Sequence, residues 1–321
     1  MKRITITCIW LLLVLFGMAA WAYSEATDEF NKTYPISAGT TVNITNVTGK
    51  VAVSTWDQPN AEVRAVKKTK NGKSDLDAVK IEVTPAGNTL DIKTVYPKKN
   101  TSENESFLTR ISRGFRNFGS GVTVDYTITL PKTAMLGKVS TVNGNVELSE
   151  TFGNTVARST NGTVKVDKAQ GIAEAHTVNG NIEIRDTKGN IDIHTTNGSI
   201  RVENVEGTIT AKSVNGNISL SGVTSVKEAR TTNGSIKAGI TGSAPEGMNI
   251  NTVNGSVELS FPQDINAEMD IESAHGKISA PGGLTINMET ISPRHMTGKL
   301  GAGGNKIQVK TVNGSIILNK L

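Results

Sequence analysis

Cysteine is all but missing from the 321-residue chain. The single copy, Cys8, lies in an apolar run from Cys8 to Ala20. If that run is a leader that is removed, the remaining chain has neither a disulfide nor thiol chemistry, even in an oxidising compartment. A lipoprotein anchor would need a cysteine just after the run, and none stands there. Aromatic residues make up 4% of the sequence, and the apolar content is mostly Val, Ile and Leu. That composition supports an ordered but thin core of short strands joined by glycine turns. The excess of positive charge is small, +5 overall and +3 without Lys2 and Arg3. So mild a balance gives no reason to expect nucleic acid. The catalytic signatures Gly-x-Ser-x-Gly and His-Glu-x-x-His and a phosphate-binding loop are absent. No cofactor is expected.

Four stretches divide the chain. Met1-Lys2-Arg3, the apolar run and Ala20-Trp21-Ala22 give residues 1–22 the form of a secretory signal peptide. The other reading is an uncleaved anchor, since Ile4 to Ala22 approaches spanning length. Residues 23–96 hold alternating runs that read as strand-rich coils: Val42-Asn43-Ile44, Val51-Ala52-Val53, Val79 to Val83 and Leu90 to Val95. Residues 97–120 are a polar linker followed by Phe107, Leu108, Ile111, Phe115 and Phe118 at helical spacing, with Arg110, Arg113 and Arg116 between them. This predicts a short basic amphipathic helix that either lids the fold or touches a membrane surface. Residues 121–321 are a repeat array.

The array is punctuated by Asn-Gly at 143–144, 161–162, 179–180, 197–198, 215–216 and 233–234, then at 254–255 and 313–314, with a degenerate His275-Gly276. The first five steps are 18 residues each. A fixed period near 20 residues implies a solenoid, in which no unit buries its apolar face alone. Residues 281–308 lack a clear copy and predict a looser coil with long loops.

Asn-Gly also marks two-residue hairpins. Hairpins here would oppose Arg158 and Lys165, His194 and Arg201, and Arg230 and Lys237. Like charges directly opposite destabilise a pair of strands. Stacking by 18 instead gives columns of alternating sign: Glu147, Lys165, Glu183 and Arg201; Asp167, Arg185 and Glu203; Glu150, Lys168 and Asp186. It also gives apolar columns running from Val146 and Leu148, and a column of smaller residues running from Ala157. The expected fold is all-β: a parallel β-helix-like solenoid with 18-residue coils and two short strands per coil. The corner glycines are expected to supply positive φ.

The tandem Thr-Val/Thr-Asn-Gly-Asn/Ser-Ile/Val-x-Leu/Val pattern after a leader, with Val51-Ala52-Val53-Ser54-Thr55-Trp56-Asp57 as a first coil, resembles a bacterial candidate-adhesin family of exported β-strand-repeat domains. The resemblance spans roughly residues 36 to 321. It implies the repeat architecture and brings no catalytic residues.

A calcium-binding β-roll would need tandem Gly-Gly-x-Gly-x-Asp, which is missing. His176 and His194 share a repeat position but lack a third metal ligand, and a zinc site needs three or four. The column not neutralised within itself is Arg158, His176, His194, Lys212 and Arg230, with Glu174, Asp192 and Glu228 two residues before three of its members. It reads either as a solvated face or as a strip for an anionic polysaccharide. The expected function is an exported, non-catalytic, adhesin-like or scaffolding protein of the periplasm or cell surface, binding carbohydrate or an envelope protein. The alternatives are a polysaccharide-acting β-helix enzyme, which needs a carboxylate cluster in a groove, and a periplasmic sensor or assembly accessory. The open ends of such an array are either capped or paired into oligomers.

Overall fold

A computed structural model describes residues 25–97, 121–242 and 246–321. The leader at 1–22 and the amphipathic segment at 107–118 lie outside them. Among the described residues no helix is long and apolar enough to cross a membrane.

The first part of the chain forms β1 (Ala26–Pro35), β2 (Thr41–Thr45), β3 (Val51–Trp56), β4 (Asn60–Thr69), α1 (Lys73–Ala78), β5 (Lys80–Ala86) and β6 (Thr89–Val95). Then come β7 (Thr123–Pro131), β8 (Met135–Ser140), β9 (Val146–Ser149), β10 (Phe152–Arg158), β11 (Val164–Asp167), β12 (Gln170–His176), β13 (Ile182–Lys188) and β14 (Ile191–His194). Two long strands, β15 (Ile200–Lys212) and β16 (Ile218–Asn233), each run through a corner and serve both walls. The remainder is β17 (Ile236–Ile240), β18 (Met248–Asn254), β19 (Val257–Phe261), β20 (Ala267–Ser273), β21 (Ile278–Gly282), β22 (Ile286–Ile291), β23 (His295–Leu300), β24 (Lys306–Asn313) and β25 (Ile316–Lys320).

The 18-residue register is the one the columns predict. Val146, Val164, Ile182, Ile200, Ile218 and Ile236 pair in parallel, one per coil. Ala157, Ala175, Ile193, Ala211 and Ala229 do the same on the other wall. All of these side chains are buried. A period of two places alternate residues inward, so each wall is apolar inside and polar outside. β10 and β11, which a hairpin would have joined, lie on separate walls and pair only with neighbouring coils.

Chain order and spatial order part company at both ends. The β2–β3 coil stacks directly on β8–β9, with β6 and β7 beyond it. Residues on either side of 98–120 therefore belong to one continuous stack. At the other end the last coil, β24–β25, slots between β18–β19 and β20–β21. Residues 281–308 are not the loose coil expected. They form β22 and β23, an antiparallel pair laid against β20. At the opposite end β5 covers β6, while β4 and then β1 cover β7, all antiparallel. A free parallel edge exposes a row of unpaired backbone groups, and antiparallel strands satisfy them.

The corner glycines differ from expectation. Positive φ in the 18-residue coils falls at Glu150, Lys168, Asp186, Asn204 and Gly222 and at Gly153, Gly171, Gly189 and Gly207, not at the glycines of Asn-Gly. Those glycines are required by proximity instead. A Cβ on Gly180 would lie 2.6 Å from the carbonyl carbon of Gly162, one coil earlier, and closer still to its oxygen. Each coil lies on the backbone of the last, and only glycine leaves room.

Candidate functional site

The Asn-Gly corner is a built polar seam. The carboxamide of Asn161 donates to Oδ1 of Asn143 at 2.8 Å, and the same bond recurs through Asn179, Asn197, Asn215, Asn233, Asn254 and Asn313 at 2.8–2.9 Å. Beneath it, the hydroxyl two residues before each Asn donates to the carbonyl of the glycine in the preceding coil. Ser159 reaches Gly144 at 2.8 Å, Thr177 reaches Gly162 at 2.8 Å and Thr195 reaches Gly180 at 3.0 Å. These hydroxyl residues are buried and satisfied. The Thr/Ser-x-Asn-Gly motif is thus a coil-to-coil fastening. The β20–β21 coil keeps the register at His275-Gly276, where His275 Nδ1 lies 3.3 Å from the carbonyl of Val312.

The candidate strip forms as one ladder. Arg158, His176, His194, Lys212 and Arg230 pair in consecutive coils on the outer face of β10, β12, β14, β15 and β16. The imidazoles of His176 and His194 are 6.4 Å apart, centre to centre. The column does not stand unscreened, however. Arg158 makes a two-pronged ion pair with Glu174 of the next coil, Nε–Oε1 3.0 Å and Nη2–Oε2 2.7 Å. Lys212 pairs with Glu228 of the next coil at 2.7 Å. The pairing is diagonal, from one coil to the next and two residues back. The bond with Arg158 holds the Glu174 carboxyl below its ordinary range, and the Arg158 guanidinium is raised in return. Partial burial pushes the His176 imidazole down. With neutral imidazoles the strip carries three cations, Arg158, Lys212 and Arg230, against Glu174, Asp192 and Glu228.

The other wall behaves similarly. Glu147 pairs with Lys50 at 2.6 Å, and Glu203 forms ion pairs with Arg185 at 3.0 Å and with Arg201 at 2.5 Å. A shallow groove of about 420 Å³ runs past Glu147, Lys165, Asp167 and Arg185, where acids and bases alternate. Carboxylates whose titration is displaced, Glu174, Glu203 and Asp270, are all held low, by Arg158, Arg201 and Lys306 respectively. A general acid needs the opposite displacement. Among the described residues no three His, Cys, Asp or Glu side chains converge as metal ligands.

One cluster was not legible as a site. Asp270 on β20 receives His295 Nε2 at 3.2 Å, Lys306 at 2.8 Å and Gln308 at 3.4 Å. It joins three strands that only the end topology brings together, and no repeat position signals it. Ser292 bonds the backbone of His295, not its ring, so the cluster has no nucleophile poised on the imidazole.

Residues 39–319 match the family model described as Toastrack DUF4097. No curated protein matches the chain. The fold is similar to a solved candidate adhesin from Bacteroides fragilis, at 17% identity over 91% of this chain and 97% of that one, with a TM-score of 0.40. It is also similar to a candidate lipid-binding protein from Parabacteroides distasonis, at 16% identity over 92% and 97%, with a TM-score of 0.42. A candidate adhesin from Parabacteroides merdae is 10% identical over 91% and 96%, with a TM-score of 0.39.

Proposed function

The chain belongs to the Toastrack DUF4097 family, and on that premise we propose that it is an exported, non-catalytic, adhesin-like or scaffolding protein of the cell envelope. Its partner is extended, carbohydrate or protein, and lies along a broad wall of the stack. The observation that carries this reading is the repeated register. From β9 to β16 the outer positions along the two walls recur one strand spacing further on, about 4.8 Å, broken only by bulges in β10 and in the corner-crossing parts of β15 and β16. Such a wall presents the same chemistry many times along one axis, which suits a long partner better than a compact substrate. Antiparallel strands cover β6 and β7 at one end and β20 at the other, which limits extension of the stack along those edges.

The test is a binding screen of residues 23–321 against purified envelope and host polysaccharides, with each bound sample assayed for newly released reducing ends. Saturable binding without product is the expected result. Product release would replace the scaffold with a polysaccharide-acting enzyme. Failure to bind any polysaccharide or envelope protein would remove the adhesive role.

A further inference from the structure

We propose that the strip from Arg158 to Arg230 is an acid-gated binding site for a linear acidic polysaccharide, with the stacked pair His176 and His194 as the gate. This rests on the reading of the wall as a surface for an extended partner, and adds the class of partner and its control.

The five side chains occupy five consecutive coils, a run of about 19 Å at one strand spacing per step. The two ends of the run are permanently cationic and the middle is not. Arg158 lies on one side of the imidazoles, and Lys212 and Arg230 on the other. With both imidazoles neutral, the three flanking cations are matched in number by Glu174, Asp192 and Glu228. Two cations are also bound to those acids, Arg158 to Glu174 and Lys212 to Glu228. A polyanion meets no net attraction there.

Imidazole is the side chain that changes charge between pH 5 and 8. Protonating both rings closes the gap in the row, so that five cations stand in successive coils against three carboxylates. The groups facing the pair are few: Arg158 on β10, Glu174 on the same strand as His176, Asp192 on the same strand as His194, Lys212 on β15, and Glu228 and Arg230 on β16. Lys138 on β8 heads the acidic column, in register with Val156 and so with Glu174. Glu174 and Asp192 favour the charged rings. Arg158, Lys138, Lys212, Arg230 and the neighbouring ring 6.4 Å away oppose them. Burial of the His176 ring opposes its charge as well, and a bound polyanion offsets the repulsion among the cations. Binding and proton uptake are coupled and, by linkage, reciprocal.

The probe is dextran sulfate, whose sulfates stay ionised across the range, so any pH response belongs to the protein. The chain lacking residues 1–22 is titrated by calorimetry at pH 7.5 and pH 5.0, in two buffers of different ionisation enthalpy. Expected are binding tighter at pH 5.0 by roughly tenfold or more, uptake of up to about two protons, and a steeper loss with salt at pH 5.0. A His176→Gln/His194→Gln variant, checked for the wild-type unfolding midpoint at pH 7.5, should bind equally weakly at both pH values. Affinity independent of pH, absence of binding at both pH values, or a pH response kept by the double variant would each overturn the gate. If an envelope partner from the screen still binds at pH 7.5 in any of those cases, the scaffold reading stands and the gate alone fails.

Discussion

Replacing Gly180 with Ala tests why the repeat needs Asn-Gly. Gly180 has no positive φ to relieve. Its difficulty is the Gly162 carbonyl, whose carbon would sit 2.6 Å from the new Cβ. Ordinary carbon contacts lie near 3.5–4.0 Å, so the two coils must part locally by about 1 Å. Three bonds cross that point: Gly162 N to the Asn179 carbonyl at 3.1 Å, Thr177 Oγ1 to the Gly162 carbonyl at 2.8 Å, and Asn179 Nδ2 to Asn161 Oδ1 at 2.8 Å. At about 1 kcal/mol each, their loss costs about 3 kcal/mol. Removing glycine from the unfolded chain returns roughly 0.4–1 kcal/mol. The expected net loss is about 2–3 kcal/mol. Gly239→Ala is the matched control. It also lacks positive φ, but its nearest new neighbour is a Leu321 methyl at 3.7 Å, an ordinary contact. It should be neutral or slightly stabilising. Urea unfolding reads both through their midpoints at constant slope. A neutral Gly180→Ala, or equal losses in the two variants, would refute the close-approach argument.

Other outcomes follow from the same geometry. Asn179→Asp loses the donor to Asn161 and turns a carboxylate oxygen toward the Asn161 acceptor. It should cost about 1 kcal/mol or more at neutral pH, and the loss should shrink on acidification, as read by thermal melts. Tyr126→Phe removes the 2.7 Å bond to Thr94 inside a buried chain that continues to Asn46 at 2.9 Å, for an expected cost of about 1–3 kcal/mol by the same urea assay. Burial lowers the native His176 pKa from 6.5, so the unfolded chain takes up that proton first as pH falls. Stability should drop as pH passes below 6.5 and level off below the lowered native value, and His176→Gln should remove this slope. Glu174 has the opposite dependence. Its contribution is present above 4.5 and is lost as pH falls through the native value that Arg158 depresses, a step that Glu174→Gln should abolish.

Much of the fold is legible because a strand stack writes itself as columns. Val146 through Ile236, and Ala157 through Ala229, align on the sequence alone, since each side chain must match its neighbour one period away. What escaped the columns has specific causes. The period cannot say which coils touch once chain order is broken, so the slot taken by β24–β25 was hidden. Glycine has two uses, positive φ and missing bulk, and sequence alone does not separate them; here Gly180 serves the second and Gly189 the first. The alignment of Arg158 to Arg230 and the partial screening by Glu174, Asp192 and Glu228 were legible, but not which cation each acid meets. Glu174 stands two residues before His176, so it reads as that residue's screen, whereas the stacked sheet delivers it to Arg158. The Asp270 cluster depends on β22 and β23, whose antiparallel return no repeat position encodes.

The most direct test of the stack is cysteine cross-linking, in a chain that has no cysteine beyond Cys8. Glu183 and Arg201 are direct partners in adjacent coils, whereas Arg158 and Lys165, which a hairpin would oppose, lie on separate walls. Mild oxidation of a Glu183→Cys/Arg201→Cys variant should close an intramolecular disulfide readily, and an Arg158→Cys/Lys165→Cys variant should leave both thiols free. Cross-linking of the second pair and not the first would contradict the 18-residue coil.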